Sequence, residues 1–301
     1  MTTRANDKPS PFGLLNLNKP IGLTSRDVVD LIARPLRKVK VGHAGTLDPL
    51  ASGVLVVCVG AATRLIEYVQ RMPKTYRARV RLGATSDTDD ADGTIIEAID
   101  PPVPTEAELR AALAMQLGTI DQVPPEFSAI KVAGERAYDL ARAGREVTLK
   151  ARPVTITRVE LLGYSWPHVE LEIDCGSGTY IRSIARDVGQ LLGCGGLIEV
   201  LTRTRIGPFI IEDAIDPTPL DRGAIVGLLR PMTEAVAGMP TVVLDEGRIR
   251  AIGQWKSVDV EPAATTGEVA ILDESGELVA IAESVDGGRR LAPRRVLIAV
   301  Y

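Results

Sequence analysis

Apolar and polar side chains alternate strictly along residues 76–82, with apolar side chains at the even positions and arginines at the odd ones. This two-residue period predicts an antiparallel strand with one buried face and one cationic face. A similar alternation at 169–175 predicts a second strand. The uninterrupted apolar run 54–59 predicts a third, buried strand.

Helical spacing appears between these strands. Apolar residues recur at three- and four-residue intervals after the Gly-Ser-Gly turn at 176–178, which predicts a helix beginning at Thr179. Thr24 or Ser25 is positioned to cap an earlier helix, and the Thr-x-x-Glu sequence at 105–108 predicts a capping box. Strands and helices mixed in this way predict an α+β fold.

The chain divides by composition into three parts. Residues 10–240 contain the elements above and form the expected main domain, in which the basic, proline-bounded stretch 124–153 is a loop-like insertion. Residues 241–301 form a second, smaller unit. Its short strands are typical of a small β-barrel and are predicted at 242–244, 258–260, 268–272, 278–282 and 296–300.

Composition indicates an ordinary globular protein, with 45% hydrophobic residues and a formal net charge of −4 in 301 residues. The polar N-terminus has no signal-peptide core, and apolar runs are too short to span a bilayer, so we expect a cytoplasmic protein. The three cysteines have no metal-binding spacing and are expected to be buried thiols.

Charge is unevenly distributed. Residues 86–108 carry eight acids and no Lys or Arg, whereas 128–153 carry six basic residues against three acids. The acidic stretch does not match an EF-hand, because positions 5 and 12 of that loop would be Ala91 and Ala98. The basic stretch suits a protein that grips a phosphate backbone on one side, although a solvated face gives a similar pattern.

A glycine-rich segment at 42–53 precedes the buried strand 54–59 and contains His43 and Asp48. Pro49 restricts its own backbone and that of Asp48, and glycines permit sharp turns. A carboxylate on such a rigid corner is well placed for chemistry. Taken alone, an Asp-Pro pair is more often a turn cap.

The segment Gly-His-Ala-Gly-Thr-Leu-Asp-Pro-Leu-Ala-Ser-Gly at 42–53 closely resembles the bacterial tRNA pseudouridine-55 synthase family. The resemblance extends to Lys-Thr-Tyr at 74–76, Cys-Gly-Ser-Gly-Thr-Tyr-Ile-Arg at 175–182, the opening strand 13–22 and the segment 201–207. These motifs are long, specific and in the expected order. The resemblance implies a pseudouridine synthase fold, with a mixed, mainly antiparallel sheet flanked by helices, and a C-terminal PUA-like barrel.

The resemblance also implies a reaction. One uridine in the T loop of tRNA would be flipped out, detached from its sugar and rejoined through C5. Asp48 matches the family's essential aspartate, and the residues leave open whether it attacks C1′, attacks C6 or removes a ribose proton. Arg182 matches the arginine that pairs with this aspartate, and Tyr180 matches a tyrosine that assists proton loss from C5.

Further positions match residues that bind the substrate. Tyr76 matches an aromatic residue that stacks on the flipped base, and Leu201 an apolar residue of the same pocket. His43 matches a residue that fills the space the base leaves, and Asp90 one that holds the RNA or the active-site loop. The remaining substrate-binding candidates are the basic residues Lys19, Arg64, Lys131 and Arg142.

The expected partner is tRNA, gripped at its T arm and elbow by a monomer, with the insertion 124–153 closing over the T loop. Arg289, Arg290, Arg294 and Arg295 are candidate phosphate contacts of the C-terminal unit. Nothing in the sequence supports a metal or an organic cofactor. A non-catalytic RNA chaperone remains the alternative, whereas a glycoside hydrolase lacks a second carboxylate beside Asp48.

Overall fold

The computed structural model describes residues 10–127, 131–132, 135–136, 149–261 and 266–297. The α-helices are α1 (Ser25–Leu36), α2 (Ile66–Arg71), α3 (Glu106–Ala114), α4 (Ile181–Leu191), α5 (Arg222–Gly227) and α6 (Glu246–Gly253). The strands are β1 (Gly13–Lys19), β2 (Val41–His43), β3 (Ser52–Val59), β4 (Lys74–Leu82), β5 (Ala84–Ser86), β6 (Ile95–Glu97), β7 (Gly118–Gln122), β8 (Lys131–Val132), β9 (Glu135–Arg136), β10 (Arg152–Ser165), β11 (His168–Cys175), β12 (Gly196–Ile206), β13 (Phe209–Ile210), β14 (Thr241–Val243), β15 (Val258–Asp259), β16 (Gly267–Leu272), β17 (Leu278–Val285) and β18 (Arg290–Val296).

Nine strands of the described residues form one large sheet. Its central order is β1-β3-β12-β4-β11-β10-β7, with β2 beside β3 and β13 beside β12. Neighbouring strands are antiparallel except β3 and β12, which run parallel where Gly53 faces Arg203. This mixed, mainly antiparallel sheet confirms the predicted α+β fold class.

The alternating segments predicted from residues 76–82 and 169–175 are β4 and β11, which lie side by side. The arginines on the outer face of β4 are not a free cationic surface, because β11 places acids opposite two of them and Glu97 of β6 pairs with Arg81. Arg77 pairs with Glu172 at 3.0 Å and Arg79 with Glu170 at 2.6 Å. Exposed pairs of this kind contribute little to stability, but they neutralise the face.

The inner face of β4 and β11 packs against α3 and α4 to form the main core. Helix α4 begins at Ile181, so the predicted start at Thr179 is wrong. Gly178 has a φ of 85°, and Tyr180 has extended backbone angles of −102° and 112°, which keep the chain out of helix until residue 181. Both predicted N-terminal caps form, with Thr24 capping α1 and Thr105 capping α3.

The C-terminal strands form a second sheet in the order β14-β16-β17-β18-β15. This curled sheet confirms the predicted PUA-like fold, with two corrections. Helix α6 was not predicted, although Asp245 caps it through the amide of Arg248. Strand β18 (Arg290–Val296) was not predicted, because an arginine-rich sequence hides its pattern, and the predicted strand 296–300 lies mostly outside the described residues.

The second sheet packs against α2 of the first domain through one shared apolar cluster. Tyr68, Val69 and Met72 contribute from the main domain, and Leu278 and Ile281 contribute from the second sheet. Polar contacts border the cluster. The Tyr68 hydroxyl donates to Glu268 at 2.9 Å, and Arg295 pairs with Glu67 at 2.7 Å.

The structure describes β14 as starting at Thr241, and the division into residues 10–240 and 241–301 stays a prediction. All three cysteines are buried. No helix among the described residues has both the length and the apolar character needed to cross a membrane.

Candidate active site

Asp48 lies on the loop between β2 and β3, and a buried serine fixes the residue before it. The Ser25 hydroxyl accepts a hydrogen bond from the Leu47 amide at 2.8 Å and donates to the Leu47 carbonyl at 3.1 Å. Ser25 is 2% exposed. A single side chain therefore satisfies both backbone groups of the residue next to the carboxylate.

The residue after Asp48 is also held. The Gly22 amide donates to the Pro49 carbonyl at 2.8 Å, and the Lys19 ammonium lies 3.5 Å from the same oxygen. Lys19 is completely buried and donates to two further carbonyls, of Pro20 and Leu23, at 2.8 and 2.6 Å. Burial lowers the pKa of Lys19 to about 8, and the Asp48 charge opposes that shift.

Arg203 supports the loop from the sheet below. Its guanidinium donates to the carbonyls of Val54 at 2.8 Å, Gly45 at 3.1 Å and Thr46 at 3.4 Å. A Cβ atom at Gly53 would lie 2.2 Å from the Arg203 carbonyl, so the close approach of β3 and β12 requires glycine there. The loop that carries Asp48 is thus bound on three sides.

Arg182, in the first turn of α4, pairs with the Asp48 carboxylate at 3.0 Å. The two side chains differ in exposure: 5% for Arg182 and 37% for Asp48. Arg182 also donates to the carbonyls of Thr88 at 2.8 Å and Phe127 at 3.0 Å. The carboxylate can therefore meet a ligand while its partner is fixed within the protein.

A second carboxylate, Asp90, contacts the opposite side of Arg182 at 3.2 Å. Asp90 is 3% exposed and accepts from the Thr88 hydroxyl at 2.6 Å and the Asp92 amide at 3.1 Å. Burial raises the pKa of Asp90, and the Thr88 hydroxyl and the Arg182 charge oppose the rise. Arg182 therefore bridges a partly exposed carboxylate and a buried one.

The Asp48–Arg182 pair opens onto a pocket of about 280 Å³. This volume is near the lower end of small-molecule pockets, which span about 300–1,000 Å³. Five residues predicted from the sequence line it together: Asp48, Tyr76, Tyr180, Arg182 and Leu201.

Two tyrosines shape the pocket. Tyr76, on β4, is 7% exposed, and burial raises its pKa while the positive charge of Arg203 opposes the rise. Tyr180 precedes α4, and the Gln122 side chain holds its backbone by accepting from the amide at 2.8 Å and donating to the carbonyl at 3.0 Å. Two strands of the large sheet therefore hold these tyrosines: β4 carries Tyr76, and β7 holds the backbone of Tyr180 through Gln122.

Comparison with known proteins identifies the family of this chain. Residues 33–181 match the model of the TruB family pseudouridylate synthase (N terminal domain). The tRNA pseudouridine synthase B of Aromatoleum aromaticum is 42% identical over 291 residues, which cover 96% of this chain and 93% of that protein. The chain belongs to the TruB family of pseudouridylate synthases. Like its family, it is a uridine isomerase.

Other comparisons support the same assignment. The tRNA pseudouridine synthase B of Cereibacter sphaeroides (strain ATCC 17023) is 43% identical over 290 residues, covering 94% of this chain and 95% of that protein. A chain in the crystal structure of a Cbf5-Nop10-Gar1 complex superposes with a TM-score of 0.74 at 26% identity, over 96% of this chain and 86% of that one. The TruB-family fold thus extends over nearly the whole molecule.

Two further predicted substrate-binding residues of this TruB-family enzyme, His43 and Arg64, do not line the pocket. His43 is on β2, where burial lowers its pKa. Arg64 donates to the Val296 carbonyl of the second sheet. Lys131 belongs to β8, whose backbone pairs with β9, and Arg142 lies outside the described residues. Binding of substrate by these four residues, and by the buried Lys19, stays a prediction.

Sequence reasoning missed other residues that hold the TruB-family site: Ser25, Gln122 and Arg203, together with Lys74, which lines the pocket. Lys74 and Arg203 occur within the family-like segments but received no role. One signal was available, since Arg203 follows Leu201 on the inward face of an alternating strand, where a cation is unusual.

Proposed function

We propose that this chain isomerises uridine to pseudouridine at position 55 in the T loop of tRNA. Its curated relatives are named tRNA pseudouridine synthase B, which supports tRNA as the substrate. The observation that carries the proposal is the Asp48–Arg182 pair at 3.0 Å, which places a partly exposed carboxylate beside a pocket walled by Tyr76.

The target base has to leave the folded RNA to reach this pocket. Stacking of the flipped base on Tyr76 offsets part of that cost, with about 1–3 kcal/mol for each base–aromatic stack. Leu201 supplies an apolar contact. Arg182 places a positive charge 3.0 Å from the Asp48 carboxylate, the group proposed to act as nucleophile or base.

The chemistry is an isomerisation, so no atoms are gained or lost overall. The C1′–N1 bond breaks, the base turns and a C1′–C5 bond forms. The C5 proton then leaves to a base, and N1 takes up a proton in place of its bond to C1′. Asp48 acts at C1′, at C6 or on a ribose proton, and the three routes stay open. Tyr180 is the proposed acceptor of the C5 proton, because its ring lies at the same pocket.

RNA contacts outside the pocket are proposed for the insertion 124–153 and the PUA-like unit 241–301, in a cytoplasmic monomer. Of the arginines proposed to contact phosphates there, Arg290 pairs with Asp259, Arg294 with Glu283 and Arg295 with Glu67. Exposed ion pairs of this kind exchange readily for phosphate contacts because each contributes little. We therefore retain these arginines as candidates.

Release of tritium from C5 of the target uridine tests the proposal, with a T-arm minihelix as substrate and a minihelix carrying cytidine at position 55 as control. We expect wild-type protein to release the label and the Asp48→Asn protein to bind the same RNA without releasing it. Asp216→Asn, at an exposed turn, is the matched control and should behave as wild type.

Undiminished release by Asp48→Asn would refute the assignment of the carboxylate. Binding of the minihelix by wild-type protein with no release would instead favour the RNA-chaperone alternative. Release of tritium from another uridine of intact tRNA, with none from position 55, would assign the reaction to that other uridine.

A further inference from the structure

Two buried cations at the pocket have no carboxylate partner within the described part of the chain. Arg203 is 1% exposed and Lys74 is 7% exposed, and both line the pocket beside Tyr76. Among the described residues, the ion pairs of the site involve Arg182, whereas Arg203 and Lys74 contact backbone carbonyls. Of the residues that the structure describes, three cations and one carboxylate, Asp48, therefore line the pocket.

A buried charge without an opposite charge is costly, and proteins retain such groups mainly at functional sites. The carbonyls lower that cost without cancelling the charge. Lys74 donates to the carbonyls of Gln70 and Met72, both at 2.7 Å. Burial and the nearby Arg203 charge lower the pKa of Lys74 to about 8, so it is still mainly protonated at neutral pH.

The substrate supplies the missing negative charge at one stage of the reaction. Uridine is neutral, but when the C1′–N1 bond breaks heterolytically, the bonding pair stays on N1 and spreads onto O2 and O4. The detached uracil is then an anion until C5 attacks C1′. That adduct is neutral, and it afterwards loses its C5 proton to a base while N1 takes up a proton. A phosphodiester stays on the RNA backbone, whereas the base is the part that enters a pocket beside Tyr76.

We propose that Lys74 and Arg203 form a cationic floor that stabilises the detached, anionic uracil during the isomerisation. This inference rests on the proposed function. It assigns the two residues to the cleavage and rejoining steps, because fixed charges act where negative charge develops. Arg203 also holds the Asp48 loop, so its variants need a readout that loop position alone does not change.

The experiment compares single-turnover consumption of uridine with that of 5-fluorouridine at the same position of the T-arm minihelix, at saturating RNA. Fluorine withdraws electrons and stabilises the uracil anion without help from the protein. Consumption is measured by mass spectrometry of the nucleosides. The charge-removing variants are Lys74→Met and Arg203→Met, and the charge-keeping variants are Lys74→Arg and Arg203→Lys.

With uridine, we expect each charge-removing variant to be slower by about 10²-fold, the usual effect of removing one stabilising donor. The loss should be smaller with 5-fluorouridine, and the charge-keeping variants should lose less on both RNAs. Arg205→Met is the matched control on β12, since Arg205 is exposed, and its rate should equal that of wild type.

Equal losses on the two RNAs would overturn the proposal, because displacement of the Asp48 loop slows both alike. The proposal would also be overturned if the charge-removing variants bound RNA more weakly, with a smaller salt dependence, but kept the wild-type rate at saturating RNA. That result would show that Lys74 and Arg203 contact RNA phosphates. If Arg203→Met does not fold, as judged by the loss of its cooperative unfolding transition, the comparison of the two RNAs with the two Lys74 variants tests the proposal. Turnover of the uridine RNA by wild-type protein tests the proposed function separately.

Discussion

Replacement of Ser25 by alanine tests whether the position of Asp48 depends on the clamp at Leu47. The variant removes one hydroxyl and leaves the Leu47 amide and carbonyl without their partner. An unsatisfied buried polar group costs about 1–3 kcal/mol. Because the two groups are adjacent and share one lost partner, we expect unfolding free energy to fall by about 2–4 kcal/mol.

Ser25→Ala should lower the single-turnover rate more than it lowers RNA affinity. Asp48 follows Leu47 directly, so a looser Leu47 widens the range of carboxylate positions, whereas most RNA contacts are proposed to lie elsewhere. The assay combines urea denaturation, RNA affinity and single-turnover pseudouridine formation. We expect a lower denaturation midpoint, a lower rate at saturating RNA and little change in affinity.

Ser284→Ala is the matched control. The Ser284 hydroxyl oxygen is buried and has no hydrogen-bond partner among the described residues, so its removal should not lower stability. An unchanged denaturation midpoint for Ser25→Ala would refute the energetic argument. A lower midpoint with a wild-type rate would show that the carboxylate position is fixed by Lys19 and Arg203 instead.

Three further predictions follow from contacts of the described residues. Asp90→Asn removes one of the two carboxylates that Arg182 bridges, so we expect slower single turnover with unchanged RNA affinity, and a wild-type rate would contradict this role. Tyr68→Phe removes the hydrogen bond to Glu268 and should lower the unfolding free energy by about 1 kcal/mol in urea denaturation, without changing the rate. Burial raises the pKa of Cys58 from 9.0 to about 12. As the pH rises from 9 to about 12, the thiol therefore ionises in the unfolded chain while it stays protonated in the folded one, and the free energy of unfolding falls. Cys58→Val should therefore lose less stability over this pH range than wild type. If the denaturation midpoints of the variant and of wild type depend on pH in the same way, the Cys58 thiol is not the cause of the fall.

The alternation of apolar and polar residues predicted the strands that bury only one face. The alternation at 76–82 and 169–175 identified β4 and β11 because each strand has one face in the core. The same signal failed for β18, where exposed arginines and a proline interrupt the apolar face. It also missed α6, a short helix with little apolar surface.

The candidate site was predictable where its residues lie in long family-like segments. Asp48, Tyr76, Tyr180, Arg182 and Leu201 were singled out from the sequence, and the structure brings them to one pocket. Ser25 and Arg203 were not assigned because their role consists of contacts with residues 22 and 158 positions away. The Arg203 contacts depend on how β3 and β12 pair, and the Ser25 contact depends on where α1 packs against the Asp48 loop, and local sequence encodes neither.

The contacts around α4 connect the carboxylate to the proposed RNA-gripping insertion. Gln122 holds the backbone of Tyr180, and the Val123 carbonyl accepts from the Ser183 hydroxyl at 2.9 Å. The Phe127 carbonyl, at the edge of the described part of the insertion, accepts from Arg182 at 3.0 Å. Because Arg182 also contacts Asp48, a displacement of this segment changes the environment of the carboxylate. We therefore expect RNA contacts made by the insertion to influence the rate of chemistry as well as affinity.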